Sequence, residues 1–335
     1  MKKLSPVWFL GIMLVLIFIL SLFTGRIVIT PMDFLRWCKG WLQGGPLIAD
    51  TKSLVFFEVR LPRSLTAVLT GAGLALSGAV YQGLFRNPLV SPGILGVSAG
   101  CAFGAAIGLI LPGSHFIAIR FFSFLFGIGA VFFAVSIARA VAVQPVLVLI
   151  LAGMVVTSLF NALLMILKYM ADPYSQLPAI VFWIMGSLHQ AHWPDVHWLA
   201  PVVATGAIVV YKLRFKLNIL SLGDVQAISL GLNPGLYRAL FISISSLMVA
   251  AAVSACGQIG WVGLVIPHMV RTWVGPDHRV MIPVTILMGA AFLLSADIAA
   301  RSLTAAELPV SILTALIGGP VFAILLYRNR ARGWM

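Results

Sequence analysis

Ten apolar stretches, each close to the ~20 residues with which a helix crosses the ~30 Å hydrocarbon core of a bilayer, run through this chain with only short breaks. They span 7 to 24, 64 to 85, 93 to 112, 117 to 138, 145 to 169, 196 to 212, 237 to 256, 258 to 275, 280 to 300 and 309 to 327, with the sixth and eighth the least sharply bounded. In lipid every backbone N–H and C=O needs an internal partner, and helices supply one within each segment. The expected fold is therefore an all-α polytopic membrane protein of about ten transmembrane helices, forming one domain over residues 1–335. Composition excludes a soluble alternative: 61% of the residues are hydrophobic and 9% are charged, too few to cover a water-facing surface. The apolar segment Pro178 to Leu188 is too short to span and is expected to lie near an interface.

The start, Met1-Lys2-Lys3 before an apolar stretch, has two parts of a secretory signal. Ser21 to Gly25 offers no small-x-small cleavage site, so a retained first helix is expected. Ten crossings put both termini on one side. Lys2, Lys3, Arg86, Arg139, Lys212, Arg214, Lys216, Arg238, Arg271, Arg279, Arg328, Arg330 and Arg332 fall on that side, 13 of the 22 basic residues, and the positive-inside rule makes it cytoplasmic. The long external connection, residues 25–63, also carries Arg26, Arg36, Lys39, Lys52, Arg60 and Arg63, a basic outward face suited to an acidic partner.

Gly96, Gly100, Gly104 and Gly108 recur four apart, a ladder of GxxxG steps on one helix face. Helices in lipid gain little from apolar burial, so small residues that let backbones touch are expected to pack this helix tightly. The net charge of +13 sits in short connections with no basic stripe or stacking module, which speaks against nucleic acid. Cys38, Cys101 and Cys256 make no CxxC pair and read as small packing residues.

Several blocks together resemble the FecCD-type permease subunits of ATP-binding-cassette importers, which take up iron-siderophores, haem, cobalamin and some oxyanions. They are Arg60-Leu61-Pro62-Arg63, Gly71-Ala72-Gly73 through Ser77-Gly78, Phe85-Arg86-Asn87-Pro88-Leu89 with Pro92-Gly93 and Leu95-Gly96, Gly260 through Pro267-His268, Ala296-Asp297 with Ala300-Arg301, and Glu307-Leu308-Pro309. The resemblance implies a homodimer in a bacterial or archaeal inner membrane, two cytoplasmic ATPases that hold ATP and magnesium, and an external binding protein. It also implies an inverted repeat relating helices two to five and seven to ten, of which the sequence carries a faint echo between Ala75–Leu84 and Val253–Leu264. No cofactor is expected on this chain, which lacks GxxxxGK[ST], and no catalysis of its own.

By that resemblance Arg60, Arg63 and Arg301 receive carboxylates of the binding protein, for which the planar guanidinium fork is suited. The alternatives are headgroup anchoring by Arg60 and Arg63 and an i,i+4 pair between Asp297 and Arg301. The loop 218–236, with Leu222, Gly223, Asp224, Ala227, Leu230 and Gly231, matches the loop that docks on the ATPases; Ser221 or Asp224 is expected to cap its short helix, and Gly231 with Asn233-Pro234-Gly235 to stop it. Gly153, Thr157 and Asn161 share a helix face that is either a pathway lining or interhelical hydrogen-bonding glue. Asn87-Pro88-Leu89 matches a gate turn of cobalamin importers, although Val146 and Leu147 replace the polar pair that accompanies it, so closure by an apolar constriction is expected. Pro267 is expected to bend the eighth span and His268 to pack. His189, His192, Asp195 and His197 are the most metal-like cluster, at a membrane boundary where His and Trp are at home. Two other classes fit the sequence less well. An intramembrane metalloprotease lacks its HExxH, and an ion-coupled transporter would need intramembrane acids, for which Asp297 is the main candidate. Within the importer reading an iron-siderophore is the leading cargo, with haem, cobalamin and molybdate or tungstate as alternatives.

Overall fold

A computed structural model describes residues 5–329 apart from 45, 49, 112, 114, 115, 142–144 and 305. The helices are α1 (Pro6–Phe23), α2 (Pro31–Leu42), α3 (Thr51–Leu54), α4 (Leu61–Leu84), α5 (Val97–Ile110), α6 (Phe116–Val141), α7 (Pro145–Met170), α8 (Gln176–Ile184), α9 (Trp193–Leu222), α10 (Asp224–Ser229), α11 (Pro234–Cys256), α12 (Val262–Val274), α13 (His278–Ser302) and α14 (Val310–Asn329), and no strand occurs among the described residues. A π-helical turn, Val55–Arg60, leads into α4. Each expected span is met by one helix: α1, α4, α5, α6, α7, α9, α11, α12, α13 and α14. Of the basic residues used for orientation, Lys2, Lys3, Arg330 and Arg332 lie outside the described residues.

The chain is built around α4, of whose 24 residues twenty are buried. Its glycines face different neighbours. A methyl on Gly71 would overlap the Gly289 carbonyl of α13, and one on Gly78 would overlap the Gly263 carbonyl of α12. Gly73 faces Val203 of α9, and Gly83 faces His278 and Leu217. Backbone approach of this kind maximises dispersion contact where lipid offers no hydrophobic drive.

Three of the four ladder glycines do the same for α5 and α6. A side chain on Gly100, Gly104 or Gly108 would strike the backbone of Phe126, Phe122 or Ile119. Gly96 departs from the expectation. It is the N-cap of α5, at φ 85°, and faces Val156 and Thr157 of α7. A left-handed backbone at a helix start costs glycine nothing, which is why it ends the ladder as a turn residue.

Two further expectations change. The sixth span, read as 196 to 212, is a 30-residue helix, ~45 Å long, that carries on through Lys212, Arg214 and Lys216. Lysine and arginine are good helix formers, so charge ended the apolar run without ending the helix. The eighth span breaks before it begins: Gly257 at φ 71° and Trp261 at φ 69° bracket a non-helical stretch, and Pro267 lies inside the 13-residue α12 that follows. The short apolar segment near 178–188 forms the nine-residue α8, whose Ile180 is buried with Ala102, Ala106 and Leu164 and so packs on α5 and α7.

The two halves match. From α4 to α7 the lengths are 24, 14, 26 and 26 residues, and from α11 to α14 they are 23, 13, 25 and 20. Helix α4 packs on α12 and α13, and α11 packs on α5 and α6, so each half lays its first helix against the second and third of the other.

Gly78→Ala is expected to lower stability by about 1–3 kcal/mol, because α4 and α12 must separate to admit a methyl. Gly11→Ala in α1, with nothing within 4 Å, is expected to cause no loss. Thermal unfolding of both variants in detergent micelles checks the contrast.

Candidate functional site

Helices α5 and α12 are ~20 Å long, too short to cross the hydrocarbon core, so the chain before each must run through the membrane without helical hydrogen bonds. Such backbone is tolerated only where protein buries it or where it lines a water-filled space. Both conditions are met. Side chains tie the breaks to the helices around them: Gln82 Nε2 donates to Val90 O of the first break at 3.5 Å and to Leu264 O of α12 at 3.1 Å, and Gln258 Nε2 of the second break donates to Ser98 O of α5 at 2.9 Å. Backbone does the same, with Ser187 N donating to Cys256 O at 2.8 Å and Val310 N to Gly186 O at 3.1 Å.

Between the two breaks lies a cavity of about 740 Å³. Ser91, Pro92, Gly93 and Ile94 of the first break and Gln258, Ile259, Gly260 and Trp261 of the second form its walls, closed by Leu74 of α4, Val249 and Val253 of α11, Met154, Thr157 and Ser158 of α7, and Ser311 and Ala315 of α14. Its polar groups are hydroxyls and one amide, and no charged side chain lines it. An uncharged wall with scattered hydroxyls in an apolar lining offers a passing solute no strong binding partner, which a conduit needs.

Of the three residues singled out on α7, the structure brings Thr157 to this wall, its hydroxyl bonded back to Gly153 O at 2.7 Å. Gly153 is buried against the Ile94 carbonyl, where a side chain would push the first break off α7. Asn161 is exposed one turn beyond, outside the wall. Ser91, Ser98, Ser158, Gln258 and Ser311 escaped the sequence reading. Their only signal was polarity inside an apolar run, joined at Ser91 by the following Pro92 and at Gln258 by the preceding Gly257. Asn87-Pro88-Leu89 closes α4 as an Asx turn, with Leu89 N donating to Asn87 Oδ1 at 2.9 Å, and feeds directly into the first break.

At the end of the bundle that carries the residue 25–60 segment, three arginines and two acids form a compact network. Arg63 Nε and Nη2 each lie 2.9 Å from Asp297 Oδ1, and Arg63 Nη1 lies 2.8 Å from Glu307 Oε2. Arg301 Nη2 donates to the Ser21 carbonyl and hydroxyl at 2.6 and 2.7 Å, and Arg60 donates to the carbonyls of Leu22 and Ile27 at 3.0 and 2.5 Å. Arg60, Arg63 and Arg301 are only 4–5% exposed, so their guanidiniums are spent on tying α1, α4 and α13 together. The i,i+4 pair of Asp297 with Arg301 is present at 3.7 Å, secondary to the Asp297–Arg63 bond. What remains open above this network is Arg26, Arg36 and Lys39 on and before α2. Helix α2 is held by the Thr30–Asp33 capping box and by Trp37 packed on Phe56 and Phe57.

At the opposite end, α10 is a six-residue helix whose Val225 and Ile228 are 74% and 63% exposed, flanked by exposed Leu222 and Leu230. Ala227 and Leu232 are buried beneath it, and Asp224 pairs with Arg238 of α11 at 2.5 Å. Neither expected cap is used: Gly223 is the N-cap, Ser221 bonds to Asn218 O, and Asp224 makes the Arg238 pair. Gly231, at φ 72°, ends the helix as expected, and Asn233 caps α11.

The histidine cluster is dispersed into local roles. His189 Nδ1 bonds to Ser187 Oγ at 2.7 Å, Asp195 pairs with Arg120, and His197 stacks on Trp193. Burial, and then the charge of Arg63, hold the His189 imidazole below its ordinary pKa. His268 is buried against Phe322. No group of three metal-ligating side chains occurs among the described residues.

With this geometry in hand, the chain matches the FecCD transport family over residues 13–328. It is 40% identical over 327 residues to the molybdate import system permease protein of Haemophilus influenzae, covering 97% of this chain and 96% of that one. It is 40% identical over 285 residues to the cobalamin import system permease protein of Halobacterium salinarum, covering 85% and 76%. Other relatives are named for haemin and iron chelatin transport. A solved inward-facing conformation of a transporter assigned to the metal-chelate ABC type superposes with a TM-score of 0.86 at 40% identity, over 96% of this chain and 98% of that one.

Arg63→Ala is expected to cost about 3–5 kcal/mol, because it strips the buried Asp297 of its nearest partner and leaves it only the longer Arg301 contact. Arg63→Met combined with Asp297→Leu is expected to regain most of that loss, and thermal unfolding of the two variants separates the outcomes.

Proposed function

The chain belongs to the FecCD transport family and is an ABC importer permease, and from that premise we propose that it lines the path of a metal chelate, an iron-siderophore first, across a prokaryotic inner membrane. The observation that carries this reading is the uncharged 740 Å³ cavity held between two broken helices. The cavity is walled on one side by α7 and α14, and a second copy of the chain applied across these helices completes the path. Oxyanion import is a second reading, favoured by full-length likeness to a permease named for molybdate. An ion-coupled mechanism finds less support, since Asp297 and Asp195 are both paired with arginine.

In this reading α10 faces the cytoplasm with both termini and docks in a cleft on each of two ATPases, which bind ATP and magnesium. Its exposed Val225 and Ile228 are the apolar knob such a cleft would bury, and the Asp224–Arg238 pair passes force from α10 into α11, which borders the cavity. The binding protein docks at the other end. The buried positions of Arg60, Arg63 and Arg301 make them the rigid floor of that surface, and the exposed Arg26, Arg36 and Lys39 its contacts. Coupling requires that each partner bind one conformation of the permease better than the other.

The experiment is ATP-dependent uptake into proteoliposomes containing this chain with its ATPase and binding protein, offered ferric siderophore, haem, cobalamin and molybdate in parallel. Uptake of a ferric siderophore that needs both partners is expected; uptake of molybdate alone would replace the first reading with the second. Val225→Asp with Ile228→Asp is expected to cut uptake below about a tenth, the loss one hot-spot contact carries.

Arg36→Glu with Lys39→Glu is expected to weaken binding-protein association by about three- to tenfold at low salt and less at high salt. Binding isotherms at two ionic strengths read this out, and equal affinity at both would reject these side chains as contacts.

A further inference from the structure

A second cavity, about 600 Å³, opens between α6 and α11 at the α10 end of the bundle and belongs to neither the path nor the docking surfaces. One helical stripe from each helix forms it: Ile128, Val131, Val135 and Arg139 on α6, and Arg238, Ile242 and Ser246 with their neighbours on α11. Leu149 of α7 joins them, the lining is mostly apolar with three serines, and two guanidiniums stand at the end where α6 finishes and α11 starts. Arg139 is exposed in the last turn of α6. Arg238 is mostly buried, spends Nη2 on Asp224, and keeps a buried Nε with no acceptor.

An apolar slot that ends in two arginines at the level where a helix leaves the membrane is complementary to a molecule with a long hydrocarbon tail and an anionic head. The volume lies within the roughly 300–1,000 Å³ of small-ligand sites. Arginine presents its fork to phosphate oxygens in pairs, and the first turn of α11, which supplies Gly235 to the lining, adds the positive end of a helix dipole. We propose that an anionic phospholipid of the leaflet at the α10 end occupies this groove, with an acyl chain along α6 and α11 and its phosphate between Arg139 and Arg238. Because Arg238 also holds Asp224 of α10, the bound headgroup shares a cation with the anchor of that helix. The site rests on the chain's place in a bilayer and is independent of the cargo.

The test is native mass spectrometry of the delipidated chain after exposure to nanodiscs of phosphatidylglycerol and phosphatidylcholine with matched acyl chains. Retention of one phosphatidylglycerol per chain, preferred about tenfold, is expected. Arg139→Gln, on an exposed side chain that leaves the fold intact, is expected to bring the two lipids to near parity. Leu247→Trp, which fills the groove, is expected to reduce retention of both. Equal retention of the two lipids by the unaltered chain, or a preference that survives both substitutions, would overturn the proposal.

Discussion

Close approach of backbone to backbone is the constraint on which the structure depends. In lipid the gain from packing one apolar helix on another is small, so affinity between helices comes from dispersion at short range and from satisfied polar groups. Helix α4 is in contact with α9, α11, α12 and α13 at once, and it holds glycine where α9, α12 and α13 come nearest. The pair Gly71 with Gly289 is reciprocal, since a side chain on either would collide with the carbonyl of the other. Fixed in this way, α4 becomes the rigid post against which both broken helices are set.

The breaks follow from that post. Gly78 and Gly263 bring α12 so close to α4 that Pro92, from the break before α5, packs on Gly263 as well. Both irregular segments therefore meet beside α4, where Gln82 bonds the Val90 carbonyl of the first and Gln258 of the second bonds the Ser98 carbonyl of α5. The space they leave is uncharged, with a few hydroxyls and an amide set in a mostly apolar wall. The ionised groups stand at the ends: Arg63, Arg301, Asp297 and Glu307 at one, Asp224 and Arg238 at the other. Charge is thus confined to the ends of the bundle, and the cavity between them carries none.

The arginine network illustrates how burial changes a side chain's work. The family resemblance makes Arg60 and Arg63, at the end of the external segment, and Arg301, in the last turn of α13, contacts for an acidic partner. In the fold they are desolvated, and a desolvated guanidinium without a carboxylate or carbonyls would be costly, so Asp297, Glu307 and the carbonyls of Ser21, Leu22 and Ile27 surround them. A surface built on such a floor is stiff, which lets a few exposed charges above it set orientation.

The sequence by itself determined the class of fold, the number of spans, the family and the short loop that forms α10. The fold class and spans follow from the hydrocarbon thickness, which any apolar run of about 20 residues must match, the family from blocks such as Arg60–Arg63 and Gly260–His268 in their order, and the loop from turn residues such as Gly231 and Asn233 whose backbone or capping preferences are local. Only the tertiary structure decided that Gly96 caps α5 while Gly100, Gly104 and Gly108 pack it, that α9 runs on through its lysines, that Thr157 reaches the cavity while Asn161 does not, and that Arg60, Arg63 and Arg301 are buried. A four-residue period places side chains on one face of a helix but does not say what stands opposite, and a charge in a linear sequence carries no record of the carboxylate that reaches it from 234 residues away.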